Sequence, residues 1–483
     1  MPATATSAAP STRLSGRERV ALVVLLTAGF TLAVDFSILT VALPHIGRDV
    51  GIATPYLQWI STSYALCAAG FTLLFGRVSD LVGRKRLFLL GMALLGVSSL
   101  CGGLAVDPAM LLTARVAQGT ATAMVTPAAL SLLTTTFPEG PARDRALGLN
   151  GALMAAGFTT GAILGGVLTD VLSWRWAFFL NVAVAVVVLC TAPATLRENR
   201  AAHRPRLDLP GALSVTVALV AIVYGATAAG RDGWAAPVVW LSLAAAAVFL
   251  LLFAAIERRI DQPLIAMSLL ARRHVAWGNV AGVLAFATET SLVFPLTLYL
   301  QDVLGLSPLM AGLSFGVLGV GTVLGGLLAS RLIARTDAKR SILLGFVVQA
   351  AATLPLALLS PDRAWIVPLL VLTFLGGVAN LVAIVGYVVA STSGLPDAQQ
   401  GVATGLVTMS QQVGIALGTP VMSALITSRA IGSSGAAGAS GHLLSGIQTA
   451  IVVNSLICVA GAVLVGFALR LPGHARASET AAS

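Results

Sequence analysis

The chain has 483 residues, of which 57% are hydrophobic and only 10% are charged. A soluble protein is about a quarter charged, so this chain has too few charged side chains to cover a water-exposed surface, and its apolar content excludes intrinsic disorder. The formal net charge of +10 comes mostly from arginines in short clusters between long apolar runs. This arrangement indicates a membrane protein and argues against a nucleic-acid-binding one.

The apolar runs predict an all-α polytopic membrane protein. A spanning helix needs about 20 mostly apolar residues, and fourteen such runs occur, separated by charged or Pro/Gly-containing turns. We expect a disordered cytoplasmic N-terminus at 1–19 and a cytoplasmic tail at 471–483. The predicted spans are 20–43, 55–76, 87–106, 109–132, 148–171, 176–196, 209–229, 236–256, 276–300, 309–333, 341–359, 364–390, 402–427 and 448–469.

The positive charges predict the orientation of these spans. With fourteen spans both termini lie on one side, and that side holds 23 of the 29 Lys and Arg residues. Five lie on the other side and one lies inside a span. Because cytoplasmic loops of membrane proteins carry an excess of Lys and Arg, we expect a multi-pass protein of the cell membrane with both termini in the cytoplasm.

Three charged residues lie inside predicted spans: Asp35, Arg115 and Glu289. An ionised group near the centre of a spanning helix costs about 2.5–3.5 kcal/mol, so each is a candidate functional residue. Asp35 and Arg115 lie nine residues before Pro44 and seven after Pro108, which places them about 13 and 10 Å from the same side of the membrane. The two could therefore meet, either as part of a proton pathway or as a static ion pair.

Glu289 lies nearer the middle of its span and has no cation in that span. A carboxyl group in such surroundings suits reversible proton binding, although an acid that merely faces water is the alternative. Uncharged polar residues inside the spans either line a water-filled cavity or join helices by hydrogen bonds. The candidates for the cavity are Gln118, Asn181, Asn380 and Gln411.

The sequence contains no pattern that predicts catalysis or a cofactor. The four cysteines lie far apart inside apolar runs, without the spacing of a disulfide framework or a metal site. The GxxxxGK[ST] motif of nucleotide-driven motors is absent, as are the HExxH and GxSxG motifs of hydrolases. We therefore expect neither an enzyme nor a metal site, and an intramembrane enzyme is the class of function that these absences disfavour.

The turn between the second and third spans carries the strongest local motif, Gly76-Arg77-Val78-Ser79-Asp80-Leu81-Val82-Gly83-Arg84-Lys85-Arg86. Gly76 permits close helix contact and Gly83 permits a tight turn, whereas Asp80 can cap the next helix or pair with an arginine. Such a loop could hold one conformation through charge pairs that break when the protein switches. The residues assigned to this role are Gly76, Asp80, Gly83, Arg84 and Arg86.

That loop resembles the GxxxDxxGR(K/R) motif of the major facilitator superfamily, and three further segments agree with it. Residues 115–119, RVAQG, are similar to the RxxQG motif of the family's fourth helix. Residues 35–44 and 174–182 resemble two segments of the family's fourteen-helix drug:proton antiporter branch. The fifth-helix motif GxxxGPxxGG of the antiporters is matched at four glycines that we assign to helix packing, with Ala162 in place of the proline: Gly157, Gly161, Gly165 and Gly166.

The resemblance implies a major facilitator fold of fourteen transmembrane helices. Two six-helix bundles, 20–196 and 276–470, would flank linker loops with two inserted helices at 197–275. Substrate would bind between the bundles and be exposed alternately to either side of the membrane. Arg115 would then help to move or sense protons, and Asp35 would take up a proton or recognise a cation.

The function that follows from this resemblance is proton-coupled export of a small amphipathic or cationic compound, such as a drug or antibiotic. The proton gradient would supply the energy, since one charge moving through 100 mV is worth about 2.3 kcal/mol. We expect a monomer whose partners are its substrate, protons and lipid. Uptake or export of a small metabolite, or a non-transporting membrane sensor, remains open as an alternative.

Overall fold

The computed structural model describes residues 15–53, 56–137, 141–198, 208–260, 267–395, 397–430 and 436–471. Within these ranges fourteen long helices follow one another: α1 (Gly16–Ile38), α2 (Gln58–Val82), α3 (Arg84–Gly103), α4 (Pro108–Thr136), α5 (Pro141–Val171), α6 (Arg175–Thr195), α7 (Leu209–Asp232), α8 (Pro237–Glu257), α9 (Arg273–Leu298), α10 (Pro308–Arg335), α11 (Ala338–Thr353), α12 (Ile366–Thr392), α13 (Asp397–Ala430) and α14 (Ala436–Ala468). The first fourteen residues of the predicted N-terminal tail, and residues 472–483 of the predicted C-terminal tail, lie outside the described residues.

The predicted count of fourteen membrane spans is not confirmed. Across the described ranges, twelve helices are long and apolar enough to cross a membrane. The two long helices outside that set are α2 and α13, which occupy the positions of the predicted spans 55–76 and 402–427. The all-helical membrane architecture is confirmed, and these two spans stay predictions.

Helix α1 begins earlier than the sequence predicts. The Ser15 hydroxyl accepts from the backbone N–H of Glu18 at 3.3 Å, and the Glu18 carboxylate accepts from the backbone N–H of Ser15 at 2.8 Å. This reciprocal capping box satisfies the free N–H groups of the first turn. Residues 16–19, predicted as part of a disordered tail, are therefore the first turn of the helix.

The helices pack as two groups, which we call the N group (α1–α6) and the C group (α9–α14). Two seams join the groups: α2 packs against α13, and α5 packs against α10. The second helix of each group thus meets the fifth helix of the other. Helix α7 packs against both α2 and α13 along one seam, and α8 packs against α7.

Glycines bring α5 into backbone contact with its neighbours on both sides. A Cβ added at Gly157 would lie 3.0 Å from the carbonyl oxygen of Phe30 in α1, and one at Gly161 would lie 2.8 Å from that of Val34. At Gly165 an added Cβ would overlap the carbonyl oxygen of Ile38. Gly166 faces the opposite way, where a Cβ would lie 2.5 Å from a carbonyl oxygen of α10. The four glycines therefore let α5 touch both α1 and the C group.

We call the side of the helix bundle where α1 begins the first face, and the side where it ends the second face. At the second face α1 gives way to a short helix, Leu43–Val50. Its apolar residues share one buried cluster with residues that end α9, among them Leu296 and Leu300. The chain there forms one π-helical turn, Tyr299–Val303, and Gln301 donates from Nε2 to the carbonyl oxygen of Val41 at 2.7 Å. Apolar packing and this hydrogen bond close the two groups at the second face.

Candidate functional site

The Asp35 carboxylate is buried inside the N group and accepts three hydrogen bonds. Arg115 Nη1 donates to Oδ2 at 3.3 Å, and Gln118 Nε2 donates to Oδ1 at 3.2 Å. Asn181 Nδ2 donates to the same Oδ1. Asp35 is 1% exposed and Arg115 is fully buried. A buried charge persists in an apolar interior only when it is paired and hydrogen-bonded, and this carboxylate has both kinds of partner.

Helix α4 supplies the cation of this cluster and fixes its position. Arg115 and Gln118 are three residues apart and so share one face of the helix; Arg115 Nη1 donates to Gln118 Oε1 at 2.9 Å. Arg115 Nε donates to the carbonyl oxygen of Ile60 in α2 at 2.9 Å. Its Nη2 is buried without a hydrogen-bond partner among the described residues. Both N–H groups of Nη2 are therefore left for a further acceptor.

Tyr64 of α2 was not anticipated from the sequence. The guanidinium carbon of Arg115 lies 4.4 Å from the centroid of the Tyr64 ring, which is cation–π geometry. The Tyr64 hydroxyl lies 2.7 Å from the hydroxyl of Thr122, which follows Arg115 by two helical turns on α4. A tyrosine in an apolar run carries no signal of its own, because only the lateral packing of α2 on α4 places it against the arginine.

An aromatic group extends from the charge pair toward both seams. Phe36, next to Asp35 in sequence, lies 5.9 Å from Tyr64 and 5.2 Å from Phe158 of α5 between ring centroids. Phe36 and Tyr64 share a buried cluster with Ile415 of α13. The helices that hold the charge pair therefore also present aromatic surface where the two groups meet.

The sequence-based expectation that Asp35 and Arg115 could meet agrees with this geometry. The sequence leaves the candidate cavity residues open between lining a cavity and joining helices by hydrogen bonds, and two of them take the second role. Gln118 and Asn181 are almost completely buried and bind the Asp35 carboxylate, so they hold the charge pair and do not line an open cavity. Their burial follows from facing the centre of the N group. Gln411 is half-buried on α13.

Glu289 is in the C group, on α9, and belongs to a separate site. It lines a small cavity with Gln349, Asn380 and Thr373, among other residues. Glu289 is half-buried, and among the described residues its carboxylate has no hydrogen bond or ion pair. Asn380, predicted to face a cavity, does line this one.

The loop motif forms the turn between α2 and α3 at the first face. Gly83 has φ +111°, a conformation that favours glycine, and so meets the expectation of a tight turn. The backbone N–H groups that open α3, at Lys85 and Arg86, each donate to the Glu198 carboxylate at 3.2 Å. Glu198, which follows α6, therefore caps this helix; sequence analysis assigned that role to Asp80 as one alternative.

The remaining residues of the loop motif differ in how far the structure describes them. The Asp80 side chain lies outside the described part of the structure. Arg86 is exposed and lies 4.0 Å from Glu198, and Arg84 is half-buried. A Cβ added at Gly76 would lie 3.8 Å from Pro127, an ordinary contact. The expected close helix approach at Gly76 therefore stays a prediction.

The short helix at the second face carries a histidine that could compete as a proton carrier. Burial, and then the neighbouring Arg48, lower the pKa of His45 from its usual value. Its ring is therefore neutral at pH 7.

Comparison with known proteins agrees with this architecture. A family model described as Major Facilitator Superfamily matches residues 25–419. The chain is 37% identical over 468 residues to the cephamycin export protein of Amycolatopsis lactamdurans, covering 95% of this chain and 93% of that protein. It is also 37% identical over 412 residues to the puromycin resistance protein of Streptomyces alboniger, covering 84% of this chain and 81% of that protein.

Solved structures show the same fold at lower identity. A bacterial homolog of the human lysosomal transporter Spinster, in an inward-facing and occupied conformation, aligns with a TM-score of 0.68 at 17% identity. The alignment covers 95% of this chain and 98% of that one. The helical packing, the matched family model and the two relatives lead to one assignment: the chain is an integral membrane protein and belongs to the Major Facilitator Superfamily.

Proposed function

We propose that the protein exports antibiotics or similar small amphipathic compounds, driven by protons that move inward across the cell membrane. The names of the two relatives, an export protein and a resistance protein, support the substrate class. The observation that carries the coupling is the buried Asp35–Arg115 pair. Ionisable residues deep in a membrane protein are costly in free energy, and those that occur usually have a function. The proposal assigns no catalytic chemistry and no cofactor to the chain.

The proposed cycle exposes the space between the N and C groups to one side of the membrane at a time. The two reciprocal seams, α2–α13 and α5–α10, allow the groups to rock against each other. In the conformation described the second face is closed by its apolar cluster. The arginine-rich first face would lie in the cytoplasm, so the closed second face would be the outer one. Both termini would be cytoplasmic and the protein would act as a monomer.

Asp35 is the proposed link between proton and substrate. A proton on Asp35 removes the anion that Arg115 faces and weakens the 3.3 Å contact between them. The guanidinium, which already lies 4.4 Å from the centroid of the Tyr64 ring, would then shift relative to that ring, which packs on Phe36 at the seam. Substrate held against this aromatic surface would therefore experience the protonation state of a carboxylate that it does not touch.

Proteoliposomes containing the purified protein test the proposal. We expect an imposed pH gradient to drive puromycin or a cephamycin into proteoliposomes through those molecules whose cytoplasmic face points outward, and Asp35→Asn to abolish this transport without loss of membrane insertion. Asp35→Glu should retain more activity than Asp35→Asn because it keeps the charge. Asp170→Asn, which removes an exposed acid at the second face, is the matched control and should transport normally.

The alternatives predict different results in the same vesicles. Gradient-driven flux of a small metabolite, with no flux of either antibiotic, would favour a metabolite transporter. No flux of any compound, together with specific binding, would favour a membrane sensor. Full transport by Asp35→Asn would remove Asp35 from the mechanism.

A further inference from the structure

The C group contains a buried polar cluster that corresponds in position to the one around Asp35. The N-group cluster comes from the first, third, fourth and sixth helices of its group: Asp35, Ser99, Arg115 with Gln118, and Asn181. The C-group cluster comes from the same four places in its own group: Thr288, Gln349, Asn380 and Asn454. Where the N group holds an ion pair, the C group holds neutral amides and hydroxyls beside Glu289.

The hydrogen bonds of the C-group cluster fix the direction of the Asn380 amide. Asn380 Nδ2 donates to the carbonyl oxygen of Ala285 at 3.0 Å and to Gln349 Oε1 at 3.2 Å. A backbone carbonyl can only accept, so the NH₂ end of the amide must face Ala285. Gln349 is oriented likewise, since its Nε2 donates to the Thr288 hydroxyl at 3.2 Å.

This orientation leaves the acceptor of Asn380 without a donor, and Asn454 Oδ1 of the same cluster is likewise buried without a partner among the described residues. Asn380 is 2% exposed, and its Oδ1 is buried with no hydrogen-bond partner among the described residues. A buried amide oxygen without a partner is destabilising, and native structures seldom leave one so. The site therefore lacks a hydrogen-bond donor.

The cavity beside Asn380 contains the group that can supply this donor. Its volume is about 20 Å³, enough for a single water. Its wall consists of Glu289, hydroxyl and amide side chains, glycines and two leucines, and none of these lining residues is cationic. An ionised Glu289 would place a negative charge without a counter-ion beside the unpartnered Asn380 Oδ1. A neutral Glu289 carboxyl group instead has an O–H that can donate a hydrogen bond to this oxygen.

We propose that this cavity is a second proton-binding site, in which neutral Glu289 donates its O–H to Asn380 Oδ1, directly or through one water. The proton comes from water, adds to one carboxylate oxygen of Glu289 and leaves by the same bond; no other bond changes. Asn380 and Gln349 are positioning residues, because the hydrogen bonds of one orient the other. The chain then has two acids of different kinds: Asp35 with a resident arginine and Glu289 with none.

Carbodiimide labelling tests the site without any transported substrate. Dicyclohexylcarbodiimide adds to protonated carboxyl groups in apolar surroundings, and mass spectrometry identifies the residue that carries the adduct. With the purified full-length protein in detergent, we expect labelling of Glu289 at pH 7 that falls as the pH is raised. Asn380→Leu removes the acceptor at similar volume and should lower the pH of half-labelling by about one unit, a tenfold change in proton affinity.

A matched variant and a salt titration make the result decisive. Asn279→Leu removes a different buried amide, which lies on α9 and forms hydrogen bonds with Val275 and Ser410 away from the cavity. This variant should leave the pH of half-labelling unchanged. If Asn380→Leu does not fold, labelling of Glu289 in the wild-type protein is compared between NaCl and choline chloride. Equal labelling in the two salts supports a proton site, and protection by sodium overturns it in favour of a sodium site.

Two further outcomes overturn the proposal. The first is absence of Glu289 labelling at every pH from 5.5 to 9, and the second is an unchanged pH of half-labelling in folded Asn380→Leu. The role of this site in the protein rests on the proposed export function, but its ability to bind a proton does not. Because labelling needs neither antibiotic nor gradient, a failure of export in vesicles leaves this site standing, and a failure of labelling leaves export standing.

Discussion

Removing the charge of Asp35 should destabilise the protein chiefly through the arginine left behind. The carboxylate accepts from Arg115, Gln118 and Asn181, whereas an asparagine has one oxygen and an NH₂ that would face these donors. In Asp35→Asn, Arg115 keeps its two neutral acceptors at 2.9 Å but loses its only described anion. Breaking a buried pair in this way costs about 3–5 kcal/mol in the free energy of unfolding. Arg115→Met should cost a similar amount, because it strands the carboxylate instead.

The double variant distinguishes a true pair from two independent effects. In Asp35→Asn/Arg115→Met neither charge remains, so the loss of stability should be smaller than the sum of the single losses by about 0.5–3 kcal/mol or more. Denaturant unfolding of the purified variants, followed by tryptophan fluorescence, measures the three free energies. Antibiotic transport in proteoliposomes should be absent from all three. Additive free energies, or single variants as stable as the wild type, would refute the pairing argument.

Three further predictions follow from packing. Tyr64→Phe should keep the ring over Arg115 and most of the transport rate, whereas Tyr64→Leu should lose cation–π contact and shift the pH profile of transport. Gly161→Ala should lower the melting temperature of the purified protein, by overpacking worth about 1–3 kcal/mol, while Gly151→Ala, which meets nothing within 4 Å, should not. Gln301→Leu should weaken closure of the second face by about 1 kcal/mol, seen as several-fold faster alkylation of a cysteine introduced there; an unchanged rate would contradict this role.

The depth of the charged residues could be predicted from the sequence, and their neighbours could not. Proline positions and the 1.5 Å rise of a helix place Asp35 and Arg115 at similar depth, and the structure brings them to 3.3 Å. Depth along a helix axis follows from counting residues. Which helices are adjacent, and which face each presents, depends on packing between segments that are far apart in the chain, so Tyr64 and Glu198 carried no signal.

Polar residues inside spans show the same limit. From the sequence, Gln118 and Asn380 could either line a cavity or join helices by hydrogen bonds, because an amide in an apolar run is compatible with both roles. Gln118 proves to bind the Asp35 carboxylate, and Asn380 lines the cavity beside Glu289. Which neighbours each amide meets depends on the rotation of its helix about its axis, which hydrophobic periodicity does not resolve when nearly every position is apolar.

Helix α7 contacts both the N group and the C group. Gln58 of α2 donates to the Thr227 hydroxyl at 3.0 Å, and the same helix packs along α13. If the N and C groups move apart during the proposed cycle, α7 must slide over at least one of them. Tethering α7 covalently to α2 alone should therefore leave turnover intact, whereas tethering it to α2 and α13 together should arrest the cycle.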